Sequence, residues 1–374
     1  MSAEVRRWLP GKPPAGLDHA ATRLARVPGV IGIALMPDAH VSEDVCVGTV
    51  TVTEGTIVPS AVGGDIGCGM LAVPFDLAST PLDARSASRI LARLAAAVPP
   101  LKHPSASAPS LPEELLSAPL GAPALERLKE REARVELGTV GRGNHFVELQ
   151  VDDASRYWLL VHSGSRALGP AIRAHHEARA DAEVGGLRFF HSDGEGASRY
   201  LADAAWAGRW ARLNRARIAD AARDVVSETL GTGEAPGARV EVDHNHVRRE
   251  LHGGAWLSVH RKGALGLDEG EIGVVPGSMG APTFHVEGRG FAPAFRSCAH
   301  GAGRALARGV ARRTITRSRL LAETRGVVFD ERRADALRDE APSAYKDIHD
   351  VMRAQRELVR IVRRLRPVLS YKAG

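Results

Sequence analysis

Cysteine is scarce in this chain. Cys46, Cys68 and Cys298 are its only three, too few and too widely spaced for a disulfide framework. No apolar run reaches membrane-spanning length, and the opening MSAEVRRWLPGKPP lacks the hydrophobic stretch of a secretory signal. These absences give the expectation of a cytoplasmic protein with no membrane partner. Also missing are a GxxxxGK loop followed by Ser or Thr and a GxGxxG turn in a βαβ unit, which excludes P-loop and dinucleotide-binding readings. Lysine is rare, 6 residues against 44 arginines, a bias read as genomic that still singles out Lys262 and Lys372 for scrutiny.

What is present is ordinary in bulk and uneven in detail. The 374 residues are 44% hydrophobic and 25% charged, the balance of a globular protein. From Gly301 onward there are 18 Lys and Arg against 9 Asp and Glu, whereas the first 300 residues hold 32 against 35. The whole net positive charge of +6 therefore lies in the last fifth, either a footprint for nucleic acid or a solvated helical face.

Hydrophobic periodicity predicts helices over 81–98, 125–135 and 197–229, helices from His300 to about Leu337, and another from Tyr345 to Leu365. Trp206 and Trp210 fall at helical spacing and read as core. Strands are expected at VIGIALM (Val30–Met36), over 47–62, after GTVGRGNH, at YWLLVHSGSR, around ARVEVDHNH and WLSVHRKG, and in the terminal PVLSYKAG, with MPDAH as a loop. Residues 99–122 are rich in Pro, Ser and Ala and read as a long surface loop or insertion. No repeat and no clean linker divides residues 1–374. The expected fold is α+β in one large domain, with central β-sheets flanked by helices and active-site loops at strand ends.

A pattern recurs: an apolar strand meets a glycine-rich or polar loop that presents Asp, Cys, His or Asn. Asp65 and Cys68 sit three apart in GGDIGCGM, and His145, His162 and His244 each occupy such a loop. One of these alone is more often structural; five together are candidate metal ligands, and a thiolate, carboxylate and imidazole set by itself suggests zinc or iron. PGSMG (Pro276–Gly280) and HGAGR (His300–Arg304) are small-residue loops suited to backbone contact with phosphate. His300, at the head of the second, is a candidate nucleophile. Metal ligands, anion loops and clustered arginines together point to nucleotidyl transfer involving nucleic acid.

These motifs, in this order, resemble the RtcB-type RNA ligases: MPDAH, GGDIGCGM, GRGNHFVE, VHSGSR, DHNHV, HRKGA, VPGSMG, SCAHGAGR, AYKDIHDVM and a terminal KAG. The resemblance covers nearly the whole chain. It implies a GTP-dependent ligase using manganese, two ions in place of zinc or iron, that joins RNA 2′,3′-cyclic phosphate or 3′-phosphate ends to 5′-OH ends in splicing or repair. An archease-type activator is a partner the family often uses. By the same resemblance His300 is the histidine that becomes guanylylated, and Asp38 orients it. Asp65, Cys68, His145, His162 and His244 hold metal, with Cys68 placed to bridge two ions. Asn144, His145, Phe146, Val147, Glu148, His244, Asn245, Pro276, Gly277, Ser278, Met279, Thr283, His300, Gly301, Ala302, Gly303 and Lys372 match guanylate-contacting positions. Arg166, Lys262, Arg304 and Arg308 match positions expected to hold RNA phosphates.

The chain departs from the family's pattern at Glu43 and Glu54, where lysines are usual, both expected near the metal motif. Asp243 stands for a usual histidine, Ala307 for a serine and Thr283 for a serine. The acidic reversals motivate an alternative, an RNA-end phosphoesterase or 3′-end guanylylating enzyme that stops short of ligation. A non-catalytic RNA-binding paralogue is the third reading, disfavoured by the complete set of ligands and nucleophile.

Overall fold

A computed structural model describes residues 3–75, 82–235, 237 and 239–372. It is α+β, organised on two larger sheets. The first has five strands in the order Glu4–Arg7, Val30–His40, Val47–Thr53, Ala255–Lys262, Asn245–His252. The second has seven, in the order Val240–Asp243, Gly69–Phe75, Tyr157–Ser163, Phe146–Asp152, Val359–Tyr371, Thr283–Gly288, Ile272–Val275, all antiparallel neighbours. Its middle strands are buried on both faces, which is why they read as continuous apolar runs.

The 36-residue helix Glu195–Leu230 backs this sheet; at 1.5 Å per residue it is about 54 Å long. Trp206 and Trp210 are buried on it as expected, their indole N–H groups donating to the carbonyls of Leu115 and Ala133 at 3.0 and 3.1 Å. The first of these bonds ties down the 99–122 stretch. That stretch buries Leu115 and Leu120 against the helix and contains a short helix, Glu113–Leu116. Among the described residues no helix is long and apolar enough to cross a membrane.

Three expectations need correction. The stretch from Tyr345 to Leu365 is helical only over Ile348–Ala354; Val359–Tyr371 is a 13-residue strand. Its β-branched residues and its arginines suit a strand paired on both sides, with Arg360 meeting Glu287 at 2.7 Å and Arg363 meeting Asp152 at 3.1 Å across neighbouring strands. After His300 the helices are only seven residues each, Arg308–Thr314 and Arg317–Glu323, followed by 3₁₀ turns. MPDAH is no loop but the end of the Val30–His40 strand, whose pairing register shifts between Leu35 and His40. Asp38 sits in that irregular segment, fully buried.

Candidate active site

The loops at the ends of both sheets meet. GGDIGCGM leads into the strand Gly69–Phe75, while His162 ends its partner Tyr157–Ser163 and His145 precedes Phe146–Asp152. His244 links the last strand of one sheet, Val240–Asp243, to the edge strand of the other, Asn245–His252. Two overlapping groups result: Asp65, Cys68 and His145, and Cys68, His162 and His244, with ligand atoms within 4.8 Å of one another in each. Cys68 Sγ lies 3.4 Å from His145 Nε2 and 3.3 Å from His162 Nε2, and His145 Nε2 lies 2.9 Å from Asp65 Oδ2. Cys68 belongs to both groups.

The electrostatics suit divalent cations. Burial and the neighbouring imidazoles push His162 and His244 well below the ordinary histidine value, with Lys372 adding to the first and Arg215 to the second, so both are neutral and free to ligate. His162 Nδ1 contacts the Asn144 carbonyl at 3.1 Å, which fixes the proton there and leaves Nε2 facing Cys68. Against the penalty of burial, the His145 contact lowers Asp65 to about 2. Burial and the Asp65 charge raise the Cys68 thiol well above its ordinary value, a shift that a bound cation would reverse. The donor set, one thiol, one carboxylate and three imidazoles around a shared sulfur, fits a pair of metal ions.

Beside this cluster lies a pocket of about 260 Å³. His300 is on its wall, its ring 4.7 Å from that of His244. Asp38 Oδ2 is 2.6 Å from His300 Nδ1 and accepts from the His300 backbone N–H at 3.1 Å. The approach is close because Gly303, at φ +70°, lies against the Asp38 backbone; a Cβ there would collide with the Asp38 carbonyl. Lys346 fastens the same strand, donating to the Pro37 and Ala39 carbonyls at 3.0 and 2.6 Å.

Of the positions matched to guanylate contact, Asn144, Phe146, Glu148, Pro276, Gly277, Ser278, Met279, His300, Gly301, Ala302, Gly303 and Lys372 line the pocket. Val147 does not: strand alternation turns it into the opposite hydrophobic core. Thr283 acts at one remove. Gln150 donates to both Thr283 Oγ1 and Glu148 Oε2, at 2.9 and 2.8 Å, and Ser370 donates to Glu148 Oε1 at 2.9 Å. Asn245 is engaged in structure, donating to the Asp65 carbonyl at 3.0 Å and accepting from the Gly263 N–H at 2.8 Å. His145 and His244 belong to the Asp, Cys and His cluster.

The four basic positions divide. Arg308 is on the pocket wall, held to Asp339 and Glu340 at 2.9 and 2.6 Å. Arg304 is also there, but its guanidinium is turned onto the Tyr345 ring, 4.9 Å from its centroid, and to Glu340. Arg166, at φ +58°, is half-buried against Thr139 and Gly141. Lys262 is buried and donates to the Val45 carbonyl at 2.6 Å and Ser42 Oγ at 3.1 Å, holding the Val41–Cys46 loop. Glu54 does not lie where the sequence placed it, near the metal motif. It occupies the turn after Thr53, at the opposite end of a seven-residue strand from Val47 on the pocket wall, roughly 20 Å away at 3.4 Å per residue. Glu43 is exposed in the loop beside the site.

Sequence reasoning missed Glu340. This buried carboxylate receives Lys372 at 2.5 Å, Tyr345 at 2.9 Å and Arg308 at 2.6 Å. Against the penalty of burial, Lys372 and Arg308 hold it down at about 2. It also missed Asn214 and Arg215 on the long helix. Arg215, 1% exposed, donates to the Gly67 and Ser163 carbonyls at 2.6 and 3.2 Å and pairs with Glu241 at 3.1 Å, clamping two ligand loops together. The motif AYK carried a hint of Tyr345; nothing in a helical arginine marks it as a loop clamp.

An oriented imidazole beside side chains that could ligate metal, with two small-residue loops, is an arrangement suited to chemistry at phosphate groups. A sequence model described as tRNA-splicing ligase RtcB matches residues 20–121 and 120–373. The RNA-splicing ligase RtcB1 of Escherichia coli (strain ATCC 25922) is 34% identical over 403 residues, covering 99% of this chain and 98% of that protein. The RNA-splicing ligase RtcB of Escherichia coli K12 is 33% identical over 407 residues, with the same coverage. The tRNA-splicing ligase RtcB of Nanoarchaeum equitans is 30% identical over 296 residues, covering 67% of this chain and 62% of that protein. The chain belongs to the RtcB family of RNA ligases.

Proposed function

We propose that this chain is a GTP- and manganese-dependent RNA ligase that works through a guanylylated His300. The observation that carries the reading is the Asp38–His300 contact of 2.6 Å at the wall of a pocket that adjoins the metal cluster. With its Nδ1 proton held by Asp38, His300 offers the Nε2 lone pair to the α-phosphorus of GTP. The Nε2–P bond forms as the bond to pyrophosphate breaks, and the buried Asp38 carboxylate stabilises the resulting cation. His300 then passes GMP to an RNA 3′-phosphate, and the attack of a 5′-OH on that activated end releases GMP and joins the strands. Asp65, Cys68, His145, His162 and His244 would hold two Mn²⁺ ions, which when bound supply charge neutralisation at phosphate oxygens and an acidic water for opening cyclic phosphates.

Guanine suits the floor of the pocket. Phe146 offers a ring face with Lys372 Nζ 5.4 Å from its centroid, and the Glu148 carboxylate accepts from a donor edge that adenine lacks. The exposed Glu43 favours a second reading, an enzyme that activates or processes the 3′ end without joining.

Incubation with labelled GTP and Mn²⁺ tests the first reading: wild type is labelled, folded His300→Ala is not, and undiminished label in that variant refutes it. Cyclic-phosphate and 5′-OH RNAs resolved on a gel then separate the two, because only a ligase gives the longer product.

A further inference from the structure

Away from the pocket, a groove of about 770 Å³ opens along the strand Val240–Asp243. Its walls come from that edge strand and from Ile272 at the other edge of the same seven-stranded sheet. Five arginines line it, from five separate segments: Arg156, Arg212, Arg239, Arg248 and Arg363. Three carboxylates, Glu241, Asp243 and Glu271, share the lining, and Asp152 and Glu234 pair with arginines behind it, so what marks the groove is its density of guanidinium groups.

The arginines are fixed in place without being used up. Arg248 is 2.7 Å from Asp243, Arg239 is 2.7 Å from Glu234, and Arg156 and Arg363 both contact Asp152 at 3.1 Å. Arg363 also lies over the Trp158 ring, 4.5 Å from its centroid. Arg212 also lies 3.6 Å from Glu241, Arg239 3.5 Å from Asp220, and Arg363 Nη1 3.0 Å from His285 Nδ1; with five N–H donors on each guanidinium these contacts leave others unused. The side chains of Arg156, Arg212 and Arg248 are 54, 59 and 47% exposed, so those donors reach solvent. Asp243 also contacts His246 at 2.7 Å and Arg212 at 3.8 Å. The next residue is the cluster residue His244. From Asp243 the groove extends along the strand Val240–Asp243, sharing no lining residue with the pocket.

We propose that this groove carries the RNA strand beyond its reacting end, the arginines contacting successive phosphates without reading sequence. The inference rests on the ligase reading for the identity of the polymer. Its geometry predicts a length dependence: RNA of about 20 nucleotides reaches the groove while RNA of about four, filling only the site, does not.

The test is full-length Arg156→Gln/Arg212→Gln, compared with Arg85→Gln/Arg89→Gln, an equal loss of charge on the exposed face of the helix Ala84–Ala97. Affinity for 3′-phosphate RNAs of both lengths is measured by fluorescence anisotropy across salt concentrations. For the groove variant, affinity for the longer RNA falls roughly tenfold and the salt slope shrinks by about 1.4, from about 0.7 per lost single-strand contact. Short-RNA affinity and self-guanylylation stay at the wild-type level. If the groove variant instead behaves like the helix control on long RNA, the assignment is overturned; a groove built for an acidic protein segment gives that result. A wild type that binds long RNA through the groove but never guanylylates refutes the ligase reading and leaves the groove standing.

Discussion

Asp38 and His300 make a two-point contact. One carboxylate oxygen faces the ring Nδ1 at 2.6 Å and the backbone N–H at 3.1 Å, so both the tautomer and the angle of the imidazole are set. A carboxylate only accepts, which places the proton on Nδ1 and the free lone pair on Nε2. Asp38→Asn keeps the shape and removes the charge that favours the cation formed on attack. Self-guanylylation should slow on the order of 100-fold or more, with the melting temperature little changed. A rate within about threefold of wild type in a rapid-quench assay would remove Asp38 from the mechanism.

Glu148 gives the site a pH signature. Burial pushes its carboxyl up to about 7, opposed by hydrogen bonds from Gln150 and Ser370 and by the charge of Lys372. The folded state therefore binds a proton between about 4.3, the ordinary glutamate value, and 7 that the unfolded chain has released. Stability falls as pH rises through that window. Glu148→Gln should flatten this part of the thermal-midpoint profile and raise the KM for GTP, since its amide puts an NH2 group where one carboxylate oxygen had accepted from Gln150 or Ser370. A profile unchanged by the substitution would contradict the assignment.

Arg215 makes a stability prediction. Its buried guanidinium bridges the Gly67 and Ser163 carbonyls and Glu241, so Arg215→Met leaves those acceptors without their cation. The expected loss is about 3 kcal/mol, read from urea denaturation, together with weaker metal binding because both ligand loops lose their clamp. A loss below about 1 kcal/mol with metal affinity intact would make Arg215 incidental.

The long helix was legible because Trp206 and Trp210 fall at helical spacing on its buried side, and the middle strands because burial on both faces makes them continuous apolar runs. The strand Val359–Tyr371 was not. Its arginines are matched by Glu287 and Asp152 on neighbouring strands distant in sequence, so local pattern alone resembled a charged helix. The site divides in the same way. Asp65, Cys68 and the three histidines announce themselves by chemistry at loop positions. Glu340 and Arg215 do not, because a buried carboxylate and a buried arginine acquire meaning only from partners that the fold brings together. Glu54 misled for a related reason: proximity in sequence to a motif did not fix the end of the strand on which it sits.

Glu340 gathers Lys372, Arg308 and Tyr345 around one carboxylate. Glu340→Gln leaves the two cations to repel each other at the pocket wall. The KM for GTP should rise by roughly tenfold or more while the maximal guanylylation rate changes less, because the nucleotide is held by groups whose positions have loosened and His300 is untouched. Steady-state pyrophosphate release over a range of GTP concentrations measures both. A fall confined to the maximal rate would instead place Glu340 in the chemical step.

The shared sulfur makes the last prediction the most discriminating. Cys68 lies in both ligand groups, whereas Asp65 and His145 belong to one and His162 and His244 to the other. Removing a ligand private to one group should weaken one ion and spare its neighbour; removing the shared thiol should weaken both. Mn²⁺ binding followed by equilibrium dialysis on chelator-stripped protein should therefore show two ions for wild type and one tight ion each for His145→Ala and His244→Ala. Cys68→Ala should retain no tight ion. The thiol also carries the largest pH dependence of binding, since burial and Asp65 raise it and the ion must displace its proton. Affinity should rise with pH in wild type and lose much of that slope in Cys68→Ala. If Cys68→Ala keeps one ion at wild-type affinity, the sulfur serves a single metal and the two-ion arrangement fails.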